Sequence, residues 1–483
     1  MSRLQKLLSC LLILLLLFST AGNVAFFFWG RHQARLATER QLEIESLRRE
    51  IRGLRQQLQE SRDLDPGLLQ GVMDSIADQT EALRELESLT PPSRRLIDQE
   101  QMAQLISKKL DEGYAPEEAH RDELVLTTLE LIPPGLDLYQ TMSALLGEQA
   151  AGLYDPDDET LYVSTFLEGN GRMGPLEKST FAHEYTHALQ DQYFDLEALG
   201  MGAAETDWDD DQLLAIQSLV EGDAALAMQQ YMTAHLKPLE LVKLIGQAVG
   251  MDQEALDRTP PYLRASLLFP YQEGLLFVGS LFQQGGWAMV NAAYTDLPQS
   301  TEQIMHPERY PHDVPQVVTL PSLADSLAPE WQLVGENVLG EFSLRAYLGT
   351  YLSQSQAAQA ASGWDGDQYV VYQNATSQQA LLVLLLAWDD EAEMAEFVTI
   401  YREYAQNRFG DDLTQTDGAD RTWWTGKNDV LLLAQGAAPD GSTRALIILA
   451  PDKVLAERIL QEFSVFPASG QIFSAALRIP APP

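Results

Sequence analysis

Residues 183–187 read His-Glu-Tyr-Thr-His, an H-E-x-x-H pattern within an apolar stretch of the chain. On an α-helix, residues four apart share one face with Cβ atoms about 5–6 Å apart, so His183 and His187 could bind one metal ion. Glu184 is rotated by about 100° from His183, which places its carboxylate beside such an ion, where it can take a proton from water. The pattern requires a helix here and a second element that supplies a third ligand.

The third ligand has to be a histidine or a carboxylate. The single cysteine, Cys10, lies in an apolar N-terminal run, so the folded body has no disulfide and no cysteine-ligated zinc. Glu221 is the best candidate, because it lies in an apolar helical stretch where an unpaired carboxylate is costly to bury. The alternative for Glu221 is a carboxylate on a helix surface. Asp191 and Asp223 are better suited to hydrogen bonding an imidazole from outside the tetrahedron.

Two segments together, residues 183–192 and residues 220–224, resemble the gluzincin clan of zinc metallopeptidases, the thermolysin-like group with two histidines and a downstream glutamate. Within that clan the chain is more similar to a poorly characterised bacterial group of membrane-associated H-E-x-x-H proteins. The resemblance covers about residues 152–306 and implies a mainly helical, zincin-like domain with a small sheet. The sequence departs from the thermolysin pattern at Ala225, where an acid would orient a histidine.

The resemblance implies a Zn²⁺ held by His183, His187 and Glu221, and hydrolysis of peptide bonds with Glu184 as the general base. The expected partner is therefore a peptide or protein substrate. The alternative is a non-catalytic, membrane-tethered scaffold whose metal site is structural or vestigial. An intact glutamate beside the first histidine favours the enzyme, since a structural site has no need of a base.

Two more side chains could complete the pocket of such an enzyme. Tyr271 lies near the start of a predicted helix rich in Leu, Phe and Gly, and His306 lies in a predicted polar loop. Either could donate a hydrogen bond to the oxyanion that forms when water attacks a carbonyl. A structural role is the alternative for both.

Residues 7–29 are almost unbroken apolar and small residues, long enough to cross a hydrocarbon core of about 30 Å. Residues 1–30 are predicted to be a membrane anchor, with a cleaved signal peptide as the alternative, because residues 19–21 suit a signal peptidase. Arginines that follow the span favour a cytoplasmic body by the positive-inside rule. The basic start and Leu-rich run resemble an export signal, so we expect a single-pass protein with an extracytoplasmic body.

A heptad-like pattern follows the apolar segment, within residues 31–63. Its apolar positions alternate in steps of three and four and are Ile44, Leu47, Ile51, Leu54 and Leu58. This spacing predicts a short coiled-coil stalk that could form a homodimer, or a single amphipathic helix that lies on the body.

The charge balance argues against nucleic acid as a partner. Lys and Arg sum to 32 against 70 for Asp and Glu, a formal net charge of -38. Such a chain repels phosphate backbones.

The C-terminal part, residues 315–483, is predicted to be a separate α+β domain that follows a zincin-like domain at residues 64–314. A helix is predicted over residues 341–354, followed by two strand-strand-helix blocks. Their predicted elements are residues 369–372, 381–386 and 391–404 in the first block, and 430–433, 445–448 and 451–463 in the second. We expect these helices to pack on one face of an antiparallel sheet. Trp423 and Trp424 are expected in its core.

Overall fold

The computed structural model describes residues 66–164, 173–201, 208–249, 256, 258–418, 420–438, 441–463 and 466. The predicted anchor and coiled-coil stalk lie outside these residues and stay predictions. Within the described part of the chain, no helix has the length and apolarity that crossing a membrane requires. The protein is a mixed α+β protein, as expected.

The chain divides into two compact units. The first, called here the helical unit, comprises Met1–Glu123 and Ile132–Asp313. The second, called here the sheet unit, comprises Leu124–Leu131 and Val314–Pro483. The helices with residues in the helical unit are α1 (Pro66–Arg84), α2 (Gln99–Gly113), α3 (Pro116–Thr128), α4 (Leu138–Gln149), α5 (Pro175–Phe194), α6 (Asp210–His235), α7 (Pro238–Val249), α8 (Pro261–Ala293) and α9 (Thr301–Met305).

A small sheet precedes the H-E-x-x-H helix. In the described residues it has three strands, β1 (Ser93–Ile97), β2 (Gly152–Asp155) and β3 (Thr160–Ser164), in the order β1-β3-β2. Strands β2 and β3 pair antiparallel, as a hairpin. Strand β1 was not predicted, because its parallel pairing with β3 joins residues far apart in the sequence and leaves no local signal.

Helices α5 and α6 form the centre of the helical unit. Pro175 at the first turn starts α5, since its fixed φ suits a helix and its missing N–H needs no partner there. Both helices are buried on all sides over long stretches, and their buried residues include polar and charged side chains as well as apolar ones. Helix α8 begins at Pro261, ten residues before Tyr271, so the predicted helix start close to Tyr271 was wrong.

Helices α6 and α8 approach each other closely at two glycines. A Cβ atom added to Gly222 would lie 2.2 Å from the carbonyl oxygen of Gly274, and one on Gly274 would lie 2.2 Å from that of Ser218. Only glycine permits this contact between backbones. The contact places the residue before Gly222, which is Glu221, at the centre of the unit.

The sheet unit is built on an antiparallel sheet. Its strands in the described residues are β4 (Trp331–Asn337), β5 (Trp364–Asn374), β6 (Ala380–Trp388), β7 (Thr414–Asp417), β8 (Arg421–Thr425), β9 (Val430–Ala437) and β10 (Thr443–Ala450). They lie in the order β4-β5-β6-β10-β9-β8-β7. Its helices are α10 (Gly340–Leu348), α11 (Gln354–Ala361), α12 (Glu391–Phe409) and α13 (Lys453–Leu460).

The helices α12 and α13 lie on opposite faces of this sheet, so the expectation of helices on one face was wrong. Side chains alternate along a strand, so Ala387 and Trp388 point to different faces. The α13 residues share a core with Ala387, whereas the Trp388 ring contacts Phe397 of α12 at a centroid distance of 4.7 Å. Strands that are apolar at nearly every position are typical of a sheet with both faces buried against other elements.

The helix predicted over residues 341–354 is shorter in the structure, and residues 349–353 connect it to a second helix. Helix α10 ends at Leu348, and α11 starts after Ser353, whose side chain and that of Gln356 form a capping box. Trp423 and Trp424 lie on β8 and are buried, as expected for core residues.

Candidate metal centre

His183 and His187 lie on the same face of α5, as the spacing predicts. Their ring centroids are 4.7 Å apart with the planes at 86°, and both side chains are buried. The two Nε2 atoms are 3.1 Å apart. The H-E-x-x-H segment therefore brings two imidazole nitrogens to one point inside the protein.

Helix α6 brings Glu221 to the same point. Its Oε2 lies 3.2 Å from Nε2 of His183 and 3.4 Å from Nε2 of His187. The first turn of α6 is capped by Asp209, whose side chain accepts from the backbone N–H of Gln212. Glu221 is fully buried, which excludes the alternative of a carboxylate on a helix surface.

The three atoms fit the ligand set of a tetrahedral metal ion. A tetrahedral zinc with bonds of about 2.0–2.1 Å has ligand atoms about 3.3 Å apart, close to the separations of 3.1, 3.2 and 3.4 Å found here. The second carboxylate oxygen of Glu221, Oε1, is buried and accepts no hydrogen bond from the described residues. A buried carboxylate with an unused oxygen is costly unless a cation binds it.

Burial and charge act in opposite directions on the titration of these residues. Burial lowers the pKa of His183, whereas for His187 the Glu221 carboxylate outweighs burial and raises the pKa to about 9. Burial alone would raise the pKa of Glu221, but the charge on His187 and the hydrogen bond from His183 lower it. The carboxylate is therefore ionised and available to bind a cation.

Glu184 lies under the edge strand β2, next to the three candidate ligands. The backbone N–H of Tyr154 donates to its Oε2 at 2.8 Å, and its Oε1 is buried without a hydrogen bond from the described residues. Gly152 makes room for it, because a Cβ there would lie 2.8 Å from Oε1. Burial raises the pKa of Glu184 to about 8. A carboxyl group of this kind can take up and release a proton near neutral pH.

The residue that hydrogen bonds His187 from outside is Gln190. Its Oε1 lies 2.7 Å from Nδ1 of His187. Asp191 instead accepts from the hydroxyl of Tyr154 and the backbone N–H of Leu196. Asp223 pairs with Arg84. The expectation that either acid would contact an imidazole directly is not met by these contacts.

Tyr271 lies beside the site. Its ring centroid is 6.2 Å from that of His183, nearly parallel to it, and the side chain is fully buried on α8. His306 lies at the C-terminal end of α9, where its backbone N–H donates to the carbonyl of Glu302. Of the two residues, Tyr271 is therefore the one that these contacts place against a candidate ligand.

A small cavity opens next to His187 and Glu221. The other residues that line it are mostly apolar. They come from β2 and the turn after it, from the segment that follows α5, and from α6, and are Tyr154, Pro156, Leu196, Met201 and Val220. A concave apolar surface with a few convergent polar atoms is typical of ligand sites.

Sequence reasoning missed the residues around the ligands. Gln190 had a detectable signal, because it follows His187 by three residues and so shares its helix face. Tyr154 and Tyr294 had none, because their partners are 37 and 71 residues away in the sequence.

A family model described as a domain of unknown function, DUF8575, matches residues 331–459. The match begins at the first residue of β4 and ends within α13, so it lies in the sheet unit. No curated protein and no solved structure matches the chain. The sheet unit is thus similar to a recognised family, and the candidate metal centre lies outside the matched residues.

Proposed function

We propose that the protein is a zinc-dependent metallopeptidase. The observation that carries the proposal is the position of Glu184 beside three convergent ligand atoms from His183, His187 and Glu221. A zinc ion bound by these residues supplies Lewis-acid chemistry, polarising a carbonyl and lowering the pKa of water to about 7. Two imidazoles and one carboxylate are a donor set that suits zinc.

The chain's own contribution to hydrolysis is the handling of a proton by Glu184. The Tyr154 N–H holds Oε2, which leaves Oε1 to take a proton from the attacking water and to pass it to the leaving amine. Burial favours the protonated form that this transfer requires. The apolar wall of the neighbouring cavity would exclude bulk water from the reaction.

The alternative, a scaffold with a structural metal site, does not account for Glu184. A structural zinc takes four protein ligands and needs no base. Keeping a buried carboxylate with an unpaired oxygen reduces stability, and a scaffold gains nothing from it.

The test is zinc quantification on the purified full-length protein, together with a protease assay. We expect Glu184→Gln to retain stoichiometric zinc and to lose about 10²- to 10⁴-fold in hydrolysis, because a general base contributes that much. Glu197→Gln makes the same chemical change at an exposed position near the end of α5 and should alter neither. Zinc binding without any hydrolysis by the unsubstituted protein would favour the scaffold instead.

A further inference from the structure

The orientation of the Gln190 amide follows from its neighbours. Its Nε2 donates to the backbone carbonyl of Val220 at 2.9 Å, and a carbonyl can only accept. The nitrogen must therefore face Val220, and the oxygen must face His187. Because that oxygen can only accept, Nδ1 of His187 carries the proton. Its Nε2 is then the atom that can offer a lone pair to a metal.

The same amide nitrogen also donates to the hydroxyl of Tyr294, at 3.0 Å. That hydroxyl in turn donates to Oδ2 of Asp223 at 2.8 Å. Burial and the adjacent Asp223 charge raise the pKa of Tyr294 well above its usual value, so the hydroxyl keeps its proton and remains a donor. Each hydrogen bond between His187 and Asp223 thus has a fixed donor. Nδ1 of His187 donates to Gln190, Nε2 of Gln190 donates to Tyr294, and the Tyr294 hydroxyl donates to Asp223.

Asp223 is held by a buried ion pair. Nε of Arg84 lies 2.6 Å from Oδ1 and its Nη2 lies 2.9 Å from Oδ2, a two-pronged contact between fully buried side chains. Asn291 accepts from the same Nη2 at 2.6 Å. Replacing a buried ion pair by apolar side chains is often neutral or stabilising. A contribution to stability therefore does not by itself explain why Arg84 and Asp223 are paired here. The pair is connected to His187, a candidate metal ligand, by the hydrogen bonds of Tyr294 and Gln190.

We propose that Gln190 is a positioning residue that presents Nε2 of His187 to the metal, and that Tyr294, Asp223 and Arg84 hold Gln190 in place. This inference rests on the proposed function, since it takes His187 to be a ligand. Position 225, where the thermolysin pattern has an acid, is alanine here. Asp223 supplies a carboxylate that is linked to the His187 imidazole by the hydrogen bonds of Tyr294 and Gln190.

The experiment measures zinc affinity by competition with a chelator on the full-length protein. Gln190→Leu removes the acceptor and should weaken zinc binding by about 10- to 100-fold, the usual cost of losing a group that orients a ligand. Gln190→Glu keeps an oxygen that accepts from Nδ1 of His187 but sets its second oxygen against the Val220 carbonyl, so it should bind zinc more tightly than Gln190→Leu and less tightly than the unsubstituted protein. Tyr294→Phe leaves the amide less constrained and should give a loss smaller than that of Gln190→Leu.

Gln192→Leu is the matched control. Gln192 lies on the same helix, and its side chain hydrogen bonds the backbone of Leu89 and Thr90. Neither of these bonds belongs to the network that connects Asp223 with His187. Gln192→Leu should therefore leave the zinc affinity unchanged. Circular dichroism and thermal unfolding, recorded for each variant, separate a loss of folding from a loss of affinity.

Three outcomes would overturn the inference and leave the proposed function intact. Gln190→Leu could bind zinc as tightly as the unsubstituted protein, or Gln190→Glu could be as weak as Gln190→Leu. If Gln190→Leu fails to fold, Tyr294→Phe with unchanged affinity would contradict the role of the network. In each of these cases the unsubstituted protein still binds zinc, and the proposed function stands. Absence of zinc from the unsubstituted protein would contradict the proposed function and this inference together.

Discussion

Glu184 and Glu221 of the candidate site, in the helical unit, are buried in a different way from Asp367, a buried carboxylate of the sheet unit. In the sheet unit, Asp367 accepts from the backbone N–H groups of Leu339 and Gly340 and from Nε1 of Trp364, at 2.8–3.0 Å. In the helical unit, Glu184 and Glu221 each keep one buried oxygen that accepts no hydrogen bond from the described residues. A carboxylate with donors on both oxygens serves structure, because its burial is compensated within the fold. For Glu184 and Glu221, no donor among the described residues compensates the burial of the second oxygen, and a bound proton or cation would do so.

The cores of the two units also differ in what fills them. The sheet unit buries large apolar side chains on both faces of its sheet, including Trp388 on the face of α12 and Trp423 on the face of α13. The helical unit brings α6 and α8 together at Gly222 and Gly274, where no side chain intervenes. Large side chains gain stability from the apolar area they bury. Backbone contact gives up that gain, and what it achieves here is the placement of Glu221.

The largest expected effect comes from removing a candidate ligand. Glu221→Ala should nearly eliminate zinc retention, because it leaves two protein ligands of three. Asp191→Ala, which removes the partner of Tyr154 and Leu196, should cost no more than about tenfold in zinc affinity, the lower end for a residue outside the ligand set.

Zinc content after dialysis, followed by chelator competition, orders the two variants. If Glu221→Ala retained zinc while Asp191→Ala lost it, the third ligand would be misassigned and the contrast between the units would fail at this residue.

The second effect concerns the glycine contact. Gly222→Ala places a methyl group against the Gly274 carbonyl and should destabilise the protein by about 3 kcal/mol, since α6 and α8 must separate. Gly279→Ala is the control, because a Cβ there meets nothing within 4 Å and alanine favours the helix by about 1 kcal/mol.

Chemical denaturation of both variants measures the difference. Equal stability of the two would show that the helices can separate without cost. The close approach would then not position Glu221.

The smallest effect is expected in the sheet unit. Asp367→Asn turns an acceptor into a donor opposite buried N–H groups and should lower stability by about 1–3 kcal/mol. Zinc affinity should not change, because the residue belongs to the sheet unit. Titration with zinc at a temperature where the variant is folded checks the prediction of unchanged affinity. A loss of zinc affinity in Asp367→Asn would contradict the assignment of a purely structural role to this carboxylate.

Much of the candidate site was predictable from local sequence. The spacing of His183 and His187 predicts that they share one face of a helix, and α5 places them so. Glu221 was predicted from its apolar surroundings, because an isolated carboxylate in such a stretch needs a partner. Both arguments use only helical geometry and the cost of burying charge, which act within a few residues.

Less of the C-terminal topology was predictable. The Leu and Ile runs predicted strands, and β6 and β10 are strands. That their helices cover both faces was missed, since a run apolar at every position is compatible with several ways of covering a sheet. The break between α10 and α11 has a local signal, the capping box at Ser353 and Gln356.

The sequence by itself determined that a helix carries His183, Glu184 and His187 on defined faces, because 3.6 residues per turn leave no other arrangement. Only the tertiary structure decided what surrounds them. The contacts of Gln190 with Tyr294, of Asp223 with Arg84 and of Gly222 with Gly274 join residues 52 or more positions apart. Such contacts depend on how whole helices pack, which local periodicity does not encode.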